Sequence, residues 1–390
     1  MRVRSVVLVL AVSLLLGVSA CGEDNSRDSL SREQVAQTKA AQSKVAHGDS
    51  QRERLAADSA AVLANGVPGV VVVTAENGRQ TSTAWGEGEV ATHTPLAVSD
   101  RFRIGSVSKS YVAVIMLQLA DEKKLSLDDT VEKWQPGLVP NGAHITIREL
   151  LNHSSGIPNY EDNPAYLAPY LAGDVTRVTT PQQLVALANA LKPAFAPGTG
   201  AAYSNTNYTV AGLIIEKATG TSLAHQLDQR VFRPLELHSS YLPIGPEIDG
   251  PHAHGYFVIG KPPAKATDVT RFSPSIAYAG GGIVATAGDV SAFYRALLGG
   301  RLLPPALLKQ MMTTVTGGKG EKFGLGLVPR TLRCGTVWGL DGNFPGYLVQ
   351  SYAGPDAKRQ VTIALNLDPN SMSEKAAAAT EKLFEDAFCG

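Results

Sequence analysis

The stretch 102-FRIGSVSKSYVAV-114 places a serine and a lysine three residues apart at the start of an apolar helix. Residues at this spacing lie on one face of an α-helix, about one turn apart, so the side chains of Ser106 and Lys109 can meet. The apolar residues that follow keep a 3.6-residue period, which predicts a helix that faces the core. Two interpretations are open: an ordinary polar helix start, or a nucleophile next to its base.

Strand patterns occur towards both ends of the chain, and helical patterns lie between them. Residues 70–74 form a β-branched run, Asn77-Gly78 is a strong hairpin turn signal, and residues 81–85 fit the return strand. Strand patterns return at residues 335–340, 347–353 and 361–366, and a final helix is predicted at 373–388. We therefore predict an α+β fold in which one antiparallel sheet is built from both chain ends, flanked by helices, with a large and mostly helical insertion.

The composition is that of a globular protein with a sizeable core. The chain has 390 residues, of which 44% are hydrophobic and 18% charged, and its formal net charge is zero. Charge balance and the lack of a Lys/Arg block argue against a nucleic-acid partner. His252 and His254 alternate as strand ligands would, but no third ligand follows at a suitable spacing. We therefore predict neither a metal nor a cofactor.

The N-terminal segment has the pattern of an export signal. Arg2 and Arg4 precede an apolar run at residues 6–16, which is short for a membrane-spanning helix. Val18-Ser-Ala-Cys21 resembles a bacterial lipobox, so we predict a signal peptide at 1–20, a lipidated Cys21 with a polar tether at 21–52, and one domain at 53–390. The expected location is the outer face of a bacterial cytoplasmic membrane. Plain secretion is the alternative.

The remaining cysteines predict one disulfide. Once Cys21 is set aside, the chain contains Cys334 and Cys389. An even pair in an oxidising compartment favours a bridge between them. Two unpaired buried thiols are the alternative.

Two further motifs accompany Ser106 and Lys109. The first is Tyr203-Ser204-Asn205, and the second is 338-WGLDGNFPGY-347. Each is weak alone, because a Ser-x-x-Lys match or a Ser/Asn turn arises readily by chance. Their order and spacing, with 145-ITIRELLNHSSGIPNY-160 and 279-AGGGIVATAGDVSAF-293, resemble the serine β-lactamase and D-alanyl-D-alanine carboxypeptidase family over about residues 60–385. The similarity points to the branch with class C β-lactamases, D-aminopeptidases and related esterases.

The resemblance implies a catalytic role for three side chains. Ser106 is the expected nucleophile, and a serine hydroxyl attacks well only when a base removes its proton. Lys109 serves as that base when it is neutral, and burial favours the neutral amine because it disfavours charge. Tyr203 is expected to share the proton transfer and to protonate the leaving group.

The resemblance also implies a substrate-binding set. Asn205 is expected to hold the substrate amide and the lysine, while Leu340, Gly342 and Asn343 lie on the strand that borders the substrate. The backbone N–H groups of Ser106 and Asn343 are the expected oxyanion hole. His153, within the family-like stretch 145–160, is predicted to make structural hydrogen bonds rather than to react.

The third motif departs from the family pattern. Relatives have His-x-Gly or Lys-Thr-Gly where this chain has Leu340-Asp341-Gly342, and leucine neither donates a hydrogen bond nor carries charge. The enzyme then either acylates with weaker recognition of anionic substrates, acts on neutral esters or amides, or only binds ligands. Arg330 and Arg333 are nearby candidates to replace the missing charge.

The expected function is that of an exported serine hydrolase. The leading interpretation is a monomeric, penicillin-binding D-alanyl-D-alanine carboxypeptidase that acts on peptidoglycan peptides. An esterase or β-lactamase of the same family is the first alternative, with β-lactams and small esters or amides as substrates. A non-catalytic cell-wall-binding or sensory lipoprotein is the second.

Overall fold

The computed structural model describes residues 50–258 and 266–390. The predicted signal peptide, Cys21 and nearly all of the predicted tether lie outside the described residues. In the described ranges, no helix has both the length and the apolar character needed to cross a bilayer. Residues Glu53–Gly390 form one compact unit.

The strands of the described chain are β1 (Gly69–Glu76), β2 (Arg79–Glu89), β3 (Thr94–Pro95), β4 (Arg101–Arg103), β5 (Tyr256–Val258), β6 (Ala266–Asp268), β7 (Val284–Thr286), β8 (Val315–Thr316), β9 (Lys322–Phe323), β10 (Val328–Leu332), β11 (Gly335–Phe344), β12 (Tyr347–Ala353) and β13 (Arg359–Leu365). The α-helices are α1 (residues 50–64), α2 (Ser108–Asp121), α3 (Val131–Trp134), α4 (Ile147–Leu151), α5 (Pro164–Leu171), α6 (Pro181–Asn189), α7 (Asn205–Thr219), α8 (Leu223–Leu227), α9 (Ala287–Leu298), α10 (Pro305–Met311) and α11 (Glu374–Cys389).

The main sheet confirms the predicted α+β architecture. Its seven strands run in the order β10-β11-β12-β13-β1-β2-β3, and each neighbouring pair is antiparallel. Strand β1 lies between β2 and β13, and Val70 is paired with Leu365. The two ends of the described chain therefore build one sheet, as the sequence patterns predict. The edge strand β10 was not predicted.

Successive side chains of a strand point to opposite faces of the sheet. Apolar side chains lie on both faces here, and helices cover both. On β1, Val71 and Val73 face the larger core, which also contains α2 and α9. Val70 and Val72 face a second core formed with α1 and α11. Full burial of each such side chain contributes on the order of 1.5–3 kcal/mol, so both layers stabilise the sheet.

Helix α2 is buried on every side rather than on one face. All residues from Ser108 to Leu117 are buried. The sequence predicts a helix with one core-facing stripe, but the mostly helical segment between β4 and β7 covers its other side. Helix α2 is thus enclosed between the sheet and α7, as expected for a helix that is apolar on all faces.

The short β4–β7 ladder closes the base of this helical insertion. Arg103 is paired with Val284, and the N–H of Ile104 donates to the oxygen of Ile283 at 3.0 Å. The residues that follow β4 therefore lie beside those that precede β7. This pairing brings the turn containing Ser106 next to Gly280.

The predicted disulfide joins Cys334 to Cys389, with a Cα–Cα distance of 5.6 Å. Cys334 lies in the turn between β10 and β11, and Cys389 is the last residue of α11. The bridge therefore links the edge of the sheet to the helix that covers one of its faces.

Removal of this bridge is expected to destabilise the fold. The double variant Cys334→Ser/Cys389→Ser should lose about 2–4 kcal/mol of unfolding free energy in urea, because the unfolded chain gains freedom. A reductant should lower the stability of the wild-type protein by a similar amount and leave the variant unchanged. Equal unfolding free energies of the variant and the oxidised wild-type protein would show that the bridge contributes nothing to stability.

Candidate active site

Ser106 lies in a tight turn between β4 and α2. This 3-10 turn spans Gly105–Val107, and Gly105 has φ of +51°. A Cβ atom at Gly105 would overlap the backbone of Asn343, lying 2.5 Å from its nitrogen. The turn and strand β11 are therefore in direct backbone contact, which requires glycine at this position.

The side chains of the first two motifs meet at Ser106. Lys109 Nζ lies 2.9 Å from Ser106 Oγ, and the hydroxyl oxygens of Ser106 and Tyr203 are 2.5 Å apart. The helical spacing of Ser106 and Lys109 therefore produces the contact that the sequence predicts. Tyr203 comes from the residue pair just before α7, 97 positions away in the chain.

Lys109 is buried, and none of its hydrogen-bond partners among residues 50–258 and 266–390 is a carboxylate. Its residue is 1% exposed, and Nζ also donates to Asn205 Oδ1 and to the oxygen of Gly280, each at 2.5 Å. Burial lowers the pKa of Lys109 to about 7, and the negative charge of Glu161 opposes this shift. A neutral amine has two hydrogens for Asn205 and Gly280, which leaves its lone pair for the Ser106 hydroxyl.

Tyr203 is held as a neutral phenol. Burial of the hydroxyl raises its pKa well above the usual range, the hydrogen bond with Ser106 opposes the shift, and the charge of Glu161 adds to it. The residue is nevertheless 39% exposed, so part of the side chain faces solvent while its hydroxyl contacts Ser106. A phenol in this position can donate a proton to a group that leaves from the substrate.

The loop before α5 supports this site from behind. Asn159 Oδ1 accepts the backbone N–H of Asn205 at 3.1 Å, and Asn159 Nδ2 donates to Glu161 Oε2 at 3.3 Å. Asn159 thus links the start of α7 to the carboxylate that acts on Lys109 and Tyr203. The sequence patterns did not predict the roles of Asn159, Glu161 and Gly280. Asn159 and Gly280 lie within the stretches 145–160 and 279–293, and Glu161 directly follows the first of them.

Strand β11 borders the same turn through the third motif. Leu340 is buried at 6% exposure and belongs to the core on the α2 side of the sheet. A Cβ at Gly342 would overlap the carbonyl oxygen of Ile104, so this residue also contacts the nucleophile turn through its backbone. Leu340 therefore contributes apolar wall rather than charge. The backbone of Asn343 lies beside Gly105, next to Ser106.

Arg330 and Arg333 do not replace the missing charge. Arg330 pairs with Glu381, and its guanidinium lies 4.3 Å from the ring centroid of Phe384. Arg333 Nη1 lies 2.8 Å from Asp386 Oδ1. Both guanidinium groups are therefore bound to helix α11, on the face of the sheet opposite to α2.

The histidines singled out in the sequence fall into two places: His153 lies in one, and His252 lies next to His254 in the other. His153 is buried, and its Nδ1 accepts the backbone N–H of Ser204 at 3.2 Å, which agrees with the predicted hydrogen-bonding role. The rings of His252 and His254 stack with centroids 5.4 Å apart, and His254 contacts Asp268 at 2.7 Å. Within residues 50–258 and 266–390, no group of three or more His, Cys, Asp or Glu residues is arranged to hold a metal ion.

The chain is similar to known proteins in sequence and in structure. The family model described as Beta-lactamase matches residues 37–384. Penicillin-binding protein 4* of Bacillus subtilis (strain 168) is 26% identical over 308 residues, which cover 75% of this chain and 66% of that protein. A D-aminopeptidase of Brucella anthropi is 31% identical over 169 residues, or 43% of this chain and 31% of that protein. The chain thus spans only part of the length of these curated relatives.

A solved structure matches over nearly its whole length. The D-stereospecific amidohydrolase from Streptomyces sp. is 36% identical and superimposes with a TM-score of 0.75. The match covers 82% of this chain and 98% of that one. Both the sheet and the helical insertion therefore have counterparts in a known structure.

Proposed function

Because the chain belongs to the beta-lactamase family of serine hydrolases, we propose that it hydrolyses amide bonds through an acyl-enzyme on Ser106. One observation carries this proposal: the buried amine of Lys109 lies 2.9 Å from Ser106 Oγ, whose other neighbour is the Tyr203 hydroxyl at 2.5 Å. A pKa of about 7 leaves much of Lys109 neutral at neutral pH. The nucleophile, its base and a proton donor are thus in contact before substrate binds.

The acylation step follows from these contacts. Lys109 removes the proton of Ser106 as Oγ attacks the substrate carbonyl carbon, and the backbone N–H groups of Ser106 and Asn343 stabilise the resulting oxyanion. Tyr203 then donates its proton to the leaving nitrogen and recovers one from the lysine ammonium, so the C–N bond breaks and an amine departs. Water attacks the ester on Ser106 by the reverse proton path and releases the acid.

The charges around the site favour a substrate with a free amino group. Leu340 provides no cation for a substrate carboxylate, and Arg330 and Arg333 are bound to α11. The carboxylate that acts on Lys109 and Tyr203 is that of Glu161. A nearby ammonium group is attracted to such a carboxylate, whereas a second carboxylate is repelled.

These charges support an amidase or aminopeptidase of D-amino acids as the finer function. The names D-aminopeptidase and D-stereospecific amidohydrolase, borne by two similar proteins, support the same substrate class. The predicted D-alanyl-D-alanine carboxypeptidase is the second candidate, favoured by the similarity to a penicillin-binding protein. The lipobox-like Cys21 supports a location at the cell envelope, where peptidoglycan supplies D-amino acids.

A fluorescent penicillin tests the acyl-enzyme directly. We expect a covalent adduct that maps by mass spectrometry to the peptide containing Ser106, and no adduct in Ser106→Ala.

When the full chain is expressed in bacteria, the labelled band should be in the membrane fraction if Cys21 anchors it. An intact protein that forms no adduct and hydrolyses no amide would instead be a non-catalytic binder.

Substitution of Glu161 tests the preference for an amino group. Glu161→Gln should lower kcat/KM about 3- to 10-fold for a D-aminoacyl amide with a free amino group, because it removes one attractive charge. The variant should hydrolyse the N-acetylated amide no more slowly than the wild type, because that substrate lacks the attracted charge and loss of the Glu161 charge lowers the pKa of Lys109 further. Asp162→Asn, at the exposed neighbouring carboxylate, is the matched control. Equal losses on both amides, or faster wild-type turnover of a D-alanyl-D-alanine peptide, would favour the carboxypeptidase.

A further inference from the structure

We propose that His153 is a positioning residue for Tyr203, and that its neutral imidazole fixes the direction in which the phenol donates a proton. The inference rests on the proposed acyl-enzyme function and concerns the step in which the leaving group departs. His153 is not in the set of residues expected to touch the substrate.

His153 holds the chain on both sides of Tyr203. Its backbone oxygen accepts the N–H of Ala202 at 3.0 Å, and its Nδ1 accepts the N–H of Ser204 at 3.2 Å. The imidazole also lies against the tyrosine ring, with centroids 4.7 Å apart and planes inclined by 34°. One residue therefore accepts the N–H groups of the two residues that flank Tyr203 and contacts one side of its ring.

Tyr203 lies in a segment with further anchors: its hydroxyl contacts Ser106, the Ser204 hydroxyl donates to the Pro158 oxygen at 3.1 Å, and the Asn205 N–H donates to Asn159. Tyr203 precedes helix α7, whose N-cap residue Ser204 makes no side-chain capping bond to that helix. Ser204 is buried, so its N–H would be left without an acceptor if the imidazole were absent, at a cost of about 1–3 kcal/mol. The tyrosine ring contacts both the imidazole and Lys109, whose Nζ lies 4.9 Å from the ring centroid, so His153 is one of the described contacts that constrain its tilt.

The surrounding donors require a neutral ring with Nδ1 unprotonated. Asn207 Oδ1 accepts the Ser155 hydroxyl at 2.6 Å, which turns Asn207 Nδ2 towards His153 Nδ1 at 3.3 Å. Nδ1 thus faces two N–H donors, one from Asn207 and one from the backbone of Ser204, and can only accept. Burial, followed by the charge of Lys109, lowers the pKa of His153 to about 3 and keeps the ring neutral.

The imidazole is itself held in place. His153 is 4% exposed and has a left-handed backbone with φ of +62°. Phe323 packs edge-on against the ring at 5.1 Å, and Tyr208 lies at 5.5 Å. Asparagine tolerates positive φ better than most residues and carries an oxygen near the position of Nδ1. His153→Asn therefore keeps the acceptor without the ring, whereas His153→Phe keeps a ring without the acceptor.

The test compares two leaving groups in the acylation step. Release of p-nitroaniline from a D-aminoacyl p-nitroanilide requires proton donation, whereas p-nitrophenolate leaves p-nitrophenyl acetate without it. In single-turnover measurements, Tyr203→Phe and His153→Phe should each slow anilide acylation about 100-fold and ester acylation less than about 3-fold. His153→Asn should restore part of the anilide rate. His144→Phe, at an exposed histidine, is the matched control and should change neither rate.

A double-variant cycle decides whether His153 acts through Tyr203. His153→Phe/Tyr203→Phe should be no slower on the anilide than Tyr203→Phe alone. Losses that multiply, or equal losses on anilide and ester, would overturn the inference while the acyl-enzyme stands. If His153→Phe does not fold, as judged by thermal melting, the same cycle with His153→Asn gives the answer. Wild-type protein without ester acylation at Ser106 would instead refute the proposed function.

Discussion

Replacement of Lys109 by methionine is expected to lower amide hydrolysis by about 10³- to 10⁴-fold while raising the melting temperature. Methionine fills a similar volume but provides no base for Ser106, so the loss should approach that of Ser106→Ala, because groups that act as a unit are not additive. The gain in stability follows from burial, since the lysine is 1% exposed and its hydrogen-bond partners in the described part of the chain are uncharged. If Lys109 had only a structural role, Lys109→Met would lower the stability together with the activity.

The pH dependence of both effects follows from the pKa of Lys109. Its folded-state pKa of about 7 lies below the ordinary value of 10.5, so the unfolded chain binds more protons between these values and stability rises with pH across this window. The stabilisation by Lys109→Met should therefore be largest at pH 7 and below, and disappear near pH 10.5. Wild-type kcat/KM should rise with pH and level off above about 7, because the neutral amine is the base.

Urea unfolding at several pH values and initial rates with an N-acetylated D-aminoacyl amide, which does not titrate in this range, check this prediction. Lys217→Met, at an exposed lysine on α7, should change neither the rates nor the pH dependence of stability. If Lys109→Met kept more than a tenth of wild-type activity, another group would have to be the base.

Gly342→Ala is expected to cause the second large loss. Its Cβ would overlap the carbonyl oxygen of Ile104, and a backbone atom cannot rotate away as a side chain can. Strand β11 must then move from the turn that contains Ser106, which separates the two backbone N–H groups of the proposed oxyanion hole. Loss of one such donor lowers kcat by about 10²- to 10³-fold.

This substitution tests the alignment of the backbone while it leaves the proposed catalytic side chains unchanged. Gly342→Ala leaves Ser106, Lys109 and Tyr203 in the sequence, yet both amide and ester turnover should fall, because each passes through an oxyanion. Gly318→Ala, where an added Cβ meets no heavy atom within 4 Å, is the matched control and should retain wild-type turnover. A folded Gly342→Ala variant with full activity would exclude Asn343 as an oxyanion donor.

Local patterns in the sequence were sufficient to predict most of the sheet. The valine run of β1, the Asn77-Gly78 turn and the strands β11 to β13 have strong strand or turn signals, and two-sided packing then follows from alternation. Strand β10 was missed because it lies at the edge of the sheet and contains Pro329, which disfavours a strand prediction. The Ser106–Lys109 contact was predictable because helical geometry alone produces it.

The rest of the site depends on tertiary structure that local patterns do not encode. Burial of Lys109 requires the helical insertion to cover α2, and a partner such as the Gly280 oxygen is a backbone atom that residue type does not reveal. Arg330 was a reasonable substitute for the missing cation because it is near Leu340 in sequence. It faces α11 instead. Its partner on β11 is Val337, which lies three residues before Leu340, and residues an odd number apart on a strand point to opposite faces of the sheet.

The pairing of β1 with β13 also determines when the molecule can finish folding. During synthesis, β1 cannot pair with β13 until Leu365, the partner of Val70, has left the ribosome. Contacts between residues so distant along the chain form slowly, because a long loop must close first. The central layer of the sheet therefore remains incomplete in the nascent polypeptide until the residues of β13, Arg359–Leu365, have emerged.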